Sequence, residues 1–269
     1  MVDLKVIATN IRQGIIKQIS NAASGHPGGS LSGVEILTLL YFEVMKVDPK
    51  NPKDPKSDRF VLSKGHASPL LYATLAERGY FDKSELLTFR MINSKLQGHP
   101  DMKHTPGVDM STGSLGQGLS AAVGMAMAGK LDKKDSKVYA LLGDGELQEG
   151  IIWEAAMSAS HYNLDNLVAF VDYNGLQIDG RCCDVMGSDP IDAKFEAFNW
   201  NVISISNGHD FDEIREGLSN IVKGKPNVLI CKTIKGKGVS FMEDQVGWHG
   251  SAPNEEQTKQ ALAELGGTL

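Results

Sequence analysis

The stretch KVYALLGDGELQEGIIWEAAMSASHYNLDNLVAFVDYNGLQIDG, residues 137–180, spells out one strand–helix–strand unit with a polar, glycine-bearing turn after each strand. KVYALL (137–142) and NLVAFVD (166–172) are nearly unbroken apolar, β-rich runs. Such runs suit strands covered on both faces. The spaced apolar positions between them predict a helix near 149–162, and a helical crossover makes the two strands parallel. In such a sheet the ligand crevice lies beyond the carboxyl ends of the strands. Gly143-Asp144-Gly145-Glu146 follows the first strand and Tyr173-Asn174-Gly175-Leu176-Gln177-Ile178-Asp179-Gly180 follows the second. Asp144 and Asn174 are 30 residues apart, so parallel pairing brings them to neighbouring strand ends. A carboxylate, an amide oxygen and a loop carbonyl form a hard-oxygen set suited to Mg2+ or Ca2+, completed by phosphate oxygens and water. The adjoining glycines let a diphosphate approach the backbone. A plain reading accounts for the spacing equally well: Asp144 caps the next helix and Asn174 takes a left-handed turn before Gly175.

Outward from this unit the alternation continues. Further strands are predicted at 59–63, 201–206 and 227–234, with helices near 3–22, 31–46, 66–78, 116–130, 211–223 and 254–265. The fold class is therefore α/β, a doubly wound and mainly parallel sheet with helices on both faces. No internal repeat or linker interrupts it, so residues 1–269 read as one domain.

Composition narrows the function classes. A formal charge of −6 lacks the concentrated Lys/Arg face that a nucleic-acid backbone needs. The lysines of DPKNPKDPKSDR (48–59) are interspersed with Asp and Pro and read as a solvated loop. No apolar run reaches the ~18 residues of a membrane span and no signal-peptide core is present, so the reading is cytoplasmic. Three cysteines, Cys182, Cys183 and Cys231, fit neither a disulfide framework nor a CxxC metal pair and read as reduced, buried thiols.

Four of the seven histidines sit in Gly/Pro/Ser turns: His26 in SGHPGG, His66 in SKGHAS, His99 in QGHPDM and His249 in VGWHGS. Imidazoles delivered to a crevice can bind phosphate and pass protons, although holding loop carbonyls is the commoner duty of any one of them. His104, His161 and His209 lack such contexts and read as surface or helix-end residues. GMAMAGK (124–130) is close to a phosphate-binding P-loop but has Leu131 in place of the hydroxyl residue, and reads as small-residue helix packing in the core. TGSLGQG (112–118) opens the N-terminus of that helix, where exposed amides favour an anion or polar heterocycle.

Together these pieces resemble the thiamine diphosphate-binding N-terminal part of the transketolases. The likeness runs through SGHPGGSLSGVEIL, DRFVLSKGHASPLLY, QGHPDMKHTPGVDMSTGSLGQGLS, the GDGELQEG to DYNGLQIDG stretch, and KTIKGKG to WHGSAPN. It implies that Asp144, Asn174 and the Leu176 carbonyl hold Mg2+, or Ca2+, which bridges the cofactor's two phosphates. It further implies that His66, Gly145 and His249 surround the diphosphate. Gly113 and Leu115 would line the ring systems, Ile178 would prop the thiazolium, and Ser114 and Glu146 would belong to the same cofactor-binding set. His26, His66, His99 and His249 would contact substrate hydroxyls and move protons while a two-carbon ketol unit passes from a ketose phosphate to an aldose phosphate. Glu149 and Glu154 correspond to an acidic pair at the subunit contact. Ser114 replaces the proline of many pentose-phosphate transketolases.

In the family, the glutamate that promotes cofactor deprotonation lies in a pyrimidine-binding domain that this sequence lacks. The resemblance thus implies a split enzyme: a second subunit carries the pyrimidine-binding and C-terminal domains, in an α2β2 assembly. The alternatives are a deoxyxylulose-phosphate synthase-like subunit, a subunit of another thiamine diphosphate enzyme, and a noncatalytic cofactor-binding subunit.

Overall fold

The computed structural model describes residues 3–268. Five strands, β1 (Arg59–Leu62), β2 (Val138–Gly143), β3 (Leu167–Tyr173), β6 (Asn201–Ile205) and β7 (Asn227–Lys232), form a sheet of order β1-β2-β3-β7-β6 with every pairing parallel. A two-strand hairpin, β4 (Leu176–Gln177) with β5 (Gly180–Arg181), projects beyond β3. The helices are α1 (Leu4–Ala22), α2 (Pro27–Ser32), α3 (Val34–Leu39), α4 (Ser68–Arg78), α5 (Gln117–Leu131), α6 (Gly150–His161), α7 (Cys182–Val185), α8 (Ile191–Ala197), α9 (Phe211–Ser219) and α10 (Glu255–Glu264).

Side chains alternate across a strand, so the sheet divides the interior into two cores. Leu141, Phe170 and Leu229 enter one with α1, α3 and α4, whereas Leu142, Val171 and Val228 enter the other with α5 and α6. Both faces are covered, which is why the strands read as continuous apolar runs.

The expected 31–46 helix is divided. Gly33 packs where a Cβ would stand 2.9 Å from Leu70, and the chain leaves α3 through a π-turn over Leu40–Val44. The last helix but one ends at Ser219 rather than 223. Helices α2, α7 and α8 and the hairpin were not anticipated. Cys182 and Cys231 are buried as expected, but Cys183 is exposed because α7 is a single surface turn. No described helix is long and apolar enough to cross a membrane.

Candidate active site

Parallel pairing sets Gly143 opposite Asp172, so the chains that continue from β2 and β3 leave the sheet level with each other. Asp144 accepts the amide N–H of Gly145 at 2.8 Å and that of Gly175 from the neighbouring turn. It is 2% exposed, and burial, reinforced by the charge of Asp172, pushes its carboxyl up to about 6. Asn174 accepts the Leu176 amide at 3.1 Å, an Asx-type turn. The Leu176 carbonyl accepts the Lys235 ammonium at 3.0 Å. The expected helix cap and left-handed turn are thus only partly realised: Asp144 does cap a short 3-10 turn, and the positive φ falls on Gly175.

Three histidines converge here from three loops. The ring centroids of His26 and His66 are 5.2 Å apart, those of His66 and His249 5.3 Å, and those of His26 and His249 5.6 Å. Burial, aided by surrounding cations, lowers His26 to about 4 and His249 to about 3, and takes His66 well below its ordinary value. At neutral pH all three are uncharged imidazoles. Lys235 donates to His249 Nδ1 at 2.9 Å, so the proton of that ring belongs on Nε2. His99 stands apart on the rim, exposed, its ring against Gly113.

These groups line a cavity of about 420 Å3 that also takes in Gly113, Leu115, Gly145, Glu146 and Ile178. Ser114 is exposed and lies outside its lining. Glu146 is fully engaged by the chain, accepting the hydroxyl of Ser63 and the amides of Gly116 and Gly143. It braces the TGSLGQG turn, which also requires Gly118: a Cβ there would stand 2.5 Å from Ser63 Cα. Glu149 and Glu154 are exposed, the former at the cavity edge. A larger cavity of about 810 Å3 lies at the opposite, amino ends of β1 and β2, by Arg59 and Val138. It gathers surface lysines and none of the strand-end groups.

Sequence reading missed four participants. Lys64 and Lys235, each 2% exposed, bring two ammonium groups to the cavity. Lys64 pairs with the fully buried Asp172, which also accepts Ser32 and Thr233. Gln177 presents a buried amide. The signal for the lysines is their place in SKGHAS and KTIKGKG, between a strand and a glycine. His209 corrects an expectation. It is no surface residue: its side chain is 9% exposed, bonded to Glu35 and to the Ile234 amide. His104 and His161 are exposed, as expected.

The residues fit a metal-bound diphosphate. His26 Nδ1 and Gln177 Nε2 are buried in the cavity wall with no hydrogen-bond partner among the described residues, so polar ligand atoms would complete them. No cluster of three or more His, Cys, Asp or Glu side chains converges as a metal site among the described residues. An ion here would take oxygen from Asp144, Asn174 and the Leu176 carbonyl and the rest from the ligand.

A parallel sheet with hard oxygens, cations and neutral imidazoles at its carboxyl edge defines a diphosphate-binding α/β domain. Residues 4–268 match the family described as transketolase, thiamine diphosphate binding domain, and the chain belongs to that family. It is 48% identical over 266 residues to the 6-deoxy-6-sulfo-D-fructose transketolase subunit SqwG of a Clostridium species, covering 98% of this chain and 96% of that one. It is 44% identical to an apulose-4-phosphate transketolase subunit of Phocaeicola vulgatus, covering 94% and 90%. Human transketolase is 44% identical over 97% of this chain, which spans only 42% of the human protein. The crystal structure of transketolase from Campylobacter jejuni superposes with a TM-score of 0.93 at 38% identity, over 100% of this chain and 44% of that one.

Proposed function

We propose that this chain is the single diphosphate-binding domain of a two-polypeptide transketolase, active in the cytoplasm with a partner subunit that supplies the pyrimidine-binding and C-terminal domains. The observation that carries the reading is the meeting of Asp144 and Asn174 at adjacent strand ends, facing two buried ammonium groups and three neutral imidazoles. The partner rests on relatives that are themselves named subunits and nearly equal in length to this chain. An α2β2 assembly would enclose two sites, with Glu149 and Glu154 towards the contact.

Asp144, Asn174 and the Leu176 carbonyl would hold Mg2+ or Ca2+, while Lys64, Lys235 and the Gln177 amide would neutralise and orient the phosphates. Gly113, Leu115 and Ile178 supply apolar wall for the rings, and Glu146 acts as the brace beneath them. Bound thiamine diphosphate would supply the carbanion chemistry that cleaves and re-forms the bond beside a ketose carbonyl. His26, His66 and His249, uncharged at neutral pH, can accept a hydroxyl proton and return it. His99 on the rim would reach the sugar further out. The two subunit relatives are named for ketoses that carry a terminal sulfonate or phosphate, so the proposed substrates are anionic ketoses and aldoses.

The test combines the chain with its partner subunit, thiamine diphosphate, Mg2+ and paired donor and acceptor sugars, and assays ketol transfer. Turnover should need both chains and fall at least ~100-fold in Asp144→Ala, as loss of a ligand to an essential ion requires. Undiminished turnover by the variant would remove the metal assignment. Activity on pyruvate but on no ketose would replace the reaction.

A further inference from the structure

We infer that Arg12, Glu35 and His209 form a buried clamp whose task is to position the Lys235 ammonium in the cofactor cavity. The inference rests on reading that cavity as a diphosphate site. Arg12 on α1 donates through both terminal nitrogens to Glu35 on α3, at 2.7 and 2.8 Å. His209, in the turn after β6, donates from Nδ1 to the same carboxylate at 2.9 Å and accepts the Ile234 amide on Nε2 at 2.8 Å. The tautomer follows, because a backbone N–H can only donate. Arg12 also donates from Nε to the Lys237 carbonyl at 2.9 Å.

The clamp therefore grips the backbone on both sides of Lys235, at 234 and at 237. The turn is shaped to receive it. Gly238 has φ +96°, and a Cβ there would stand 2.9 Å from Arg12 Cδ and Nε, so only glycine lets the guanidinium pass. Gly236 donates its amide to the Gly28 carbonyl at 3.0 Å, fixing the turn against α2 beside His26. Lys235 then extends to a carbonyl and an imidazole, neither of which carries a compensating negative charge. An ammonium so placed is reserved for an anion, and its position is set by backbone that the clamp holds.

Burial works against the charge of Glu35, yet the bonds from His209 and Arg12 keep its carboxyl below the usual carboxylate range. A buried ion pair is a poor source of net stability compared with apolar packing. Its geometric definition is what suits this site. None of the three residues lines the cavity, so they act as positioning residues rather than catalytic ones.

The test uses the full chain with three readouts: acetylation of Lys235 by acetic anhydride followed by mass spectrometry, hydrogen exchange at the Ile234 amide, and calorimetric titration with pyrophosphate and Mg2+. In His209→Ala, Lys235 acetylation and Ile234 exchange should each rise about tenfold, and pyrophosphate should bind about tenfold more weakly, the scale of one lost hydrogen bond in a defined site. Glu35→Gln, nearly isosteric, should move all three the same way and serves if His209→Ala does not fold. Adding His209→Ala to Lys235→Ala should weaken pyrophosphate binding no further, because the clamp acts through the lysine. Unchanged Lys235 acetylation in both variants, or additive losses in the double variant, overturns the clamp. If the wild type binds no pyrophosphate while Lys235 acetylation responds, the cofactor reading falls and the clamp stands.

Discussion

His26, His66 and His249 make the residue-scale case that burial, more than hydrogen bonding, sets the chemistry of this site. Each is pressed among cations: His26 faces Arg90 and Lys235, and His66 and His249 face Lys64 and Lys235. Their folded pKa values lie below the unfolded value of 6.5, so protons bind the unfolded chain more readily. Their contribution to stability is complete above pH 6.5 and declines as pH falls towards about 4 for His26 and about 3 for His249. Asp144, raised to about 6, acts with the opposite sign, so the measurement must be comparative. Relative to His26→Gln, the wild type should lose stability between pH 7.5 and 5 in urea denaturation, and the His26 imidazole resonance should not titrate in that range. A resonance titrating near 6.5 would mean that the imidazole is hydrated and that the neutral cluster is an error.

At the scale of elements, the sheet and its strand-end turns were readable because they rest on long signals: strands apolar throughout, and a spacing of 30 residues from Asp144 to Asn174. What escaped was held by tertiary contact instead of local pattern. Helix α2 begins Pro-Gly-Gly, poor helix formers, and exists because every one of its residues is buried. The β4–β5 hairpin has two-residue strands, too short for any periodicity, and is closed by the Cys182 amide donating to the Gly175 carbonyl. The clamp histidine was hidden because its partners lie in distant segments, at Glu35 and Ile234. The small residues of helix α5 suggest core packing, yet only one of its faces is buried. Leu131 at the end of α5 is 80% exposed, Met157 on α6 56%, and Tyr162, directly after α6, 52%. A helix apolar on both sides needs a second partner, and the proposed subunit would cover this face. Met157→Glu should therefore change the stability of the isolated chain by no more than ~0.5 kcal/mol while weakening assembly with the partner at least ~10-fold. Sedimentation of the mixed chains checks it, and an undisturbed complex would move the contact elsewhere.

For the whole molecule, the decisive arrangement is the one that joins segments far apart in sequence beneath the cavity. Asp172, fully buried at the end of β3, accepts Ser32 from α2, Lys64 from the turn after β1, Thr233 from the turn after β7 and, at 3.4 Å, the Asn174 amide. Lys64 holds its carboxyl below the usual carboxylate range despite the burial that would raise it. Exposed ion pairs contribute little, about 0–1 kcal/mol. This pair lies at 0% and 2% exposure, where removing one charge leaves the other stranded. Asp172→Asn keeps the shape of the side chain but removes the charge and turns one accepting oxygen into a donor, so its cost is that of breaking the buried pair: about 3–5 kcal/mol of unfolding free energy. Lys64→Met added to Asp172→Asn removes the stranded ammonium and should recover part of that loss. Affinity for Mg2+ and pyrophosphate should not recover with it, since the cavity would then lack one of its two buried cations. Urea denaturation and calorimetry of the two variants separate these effects. A loss under about 1 kcal/mol for Asp172→Asn, the range of an exposed pair, would show that the four segments are held by apolar packing and that Asp172 is incidental to the cavity's shape.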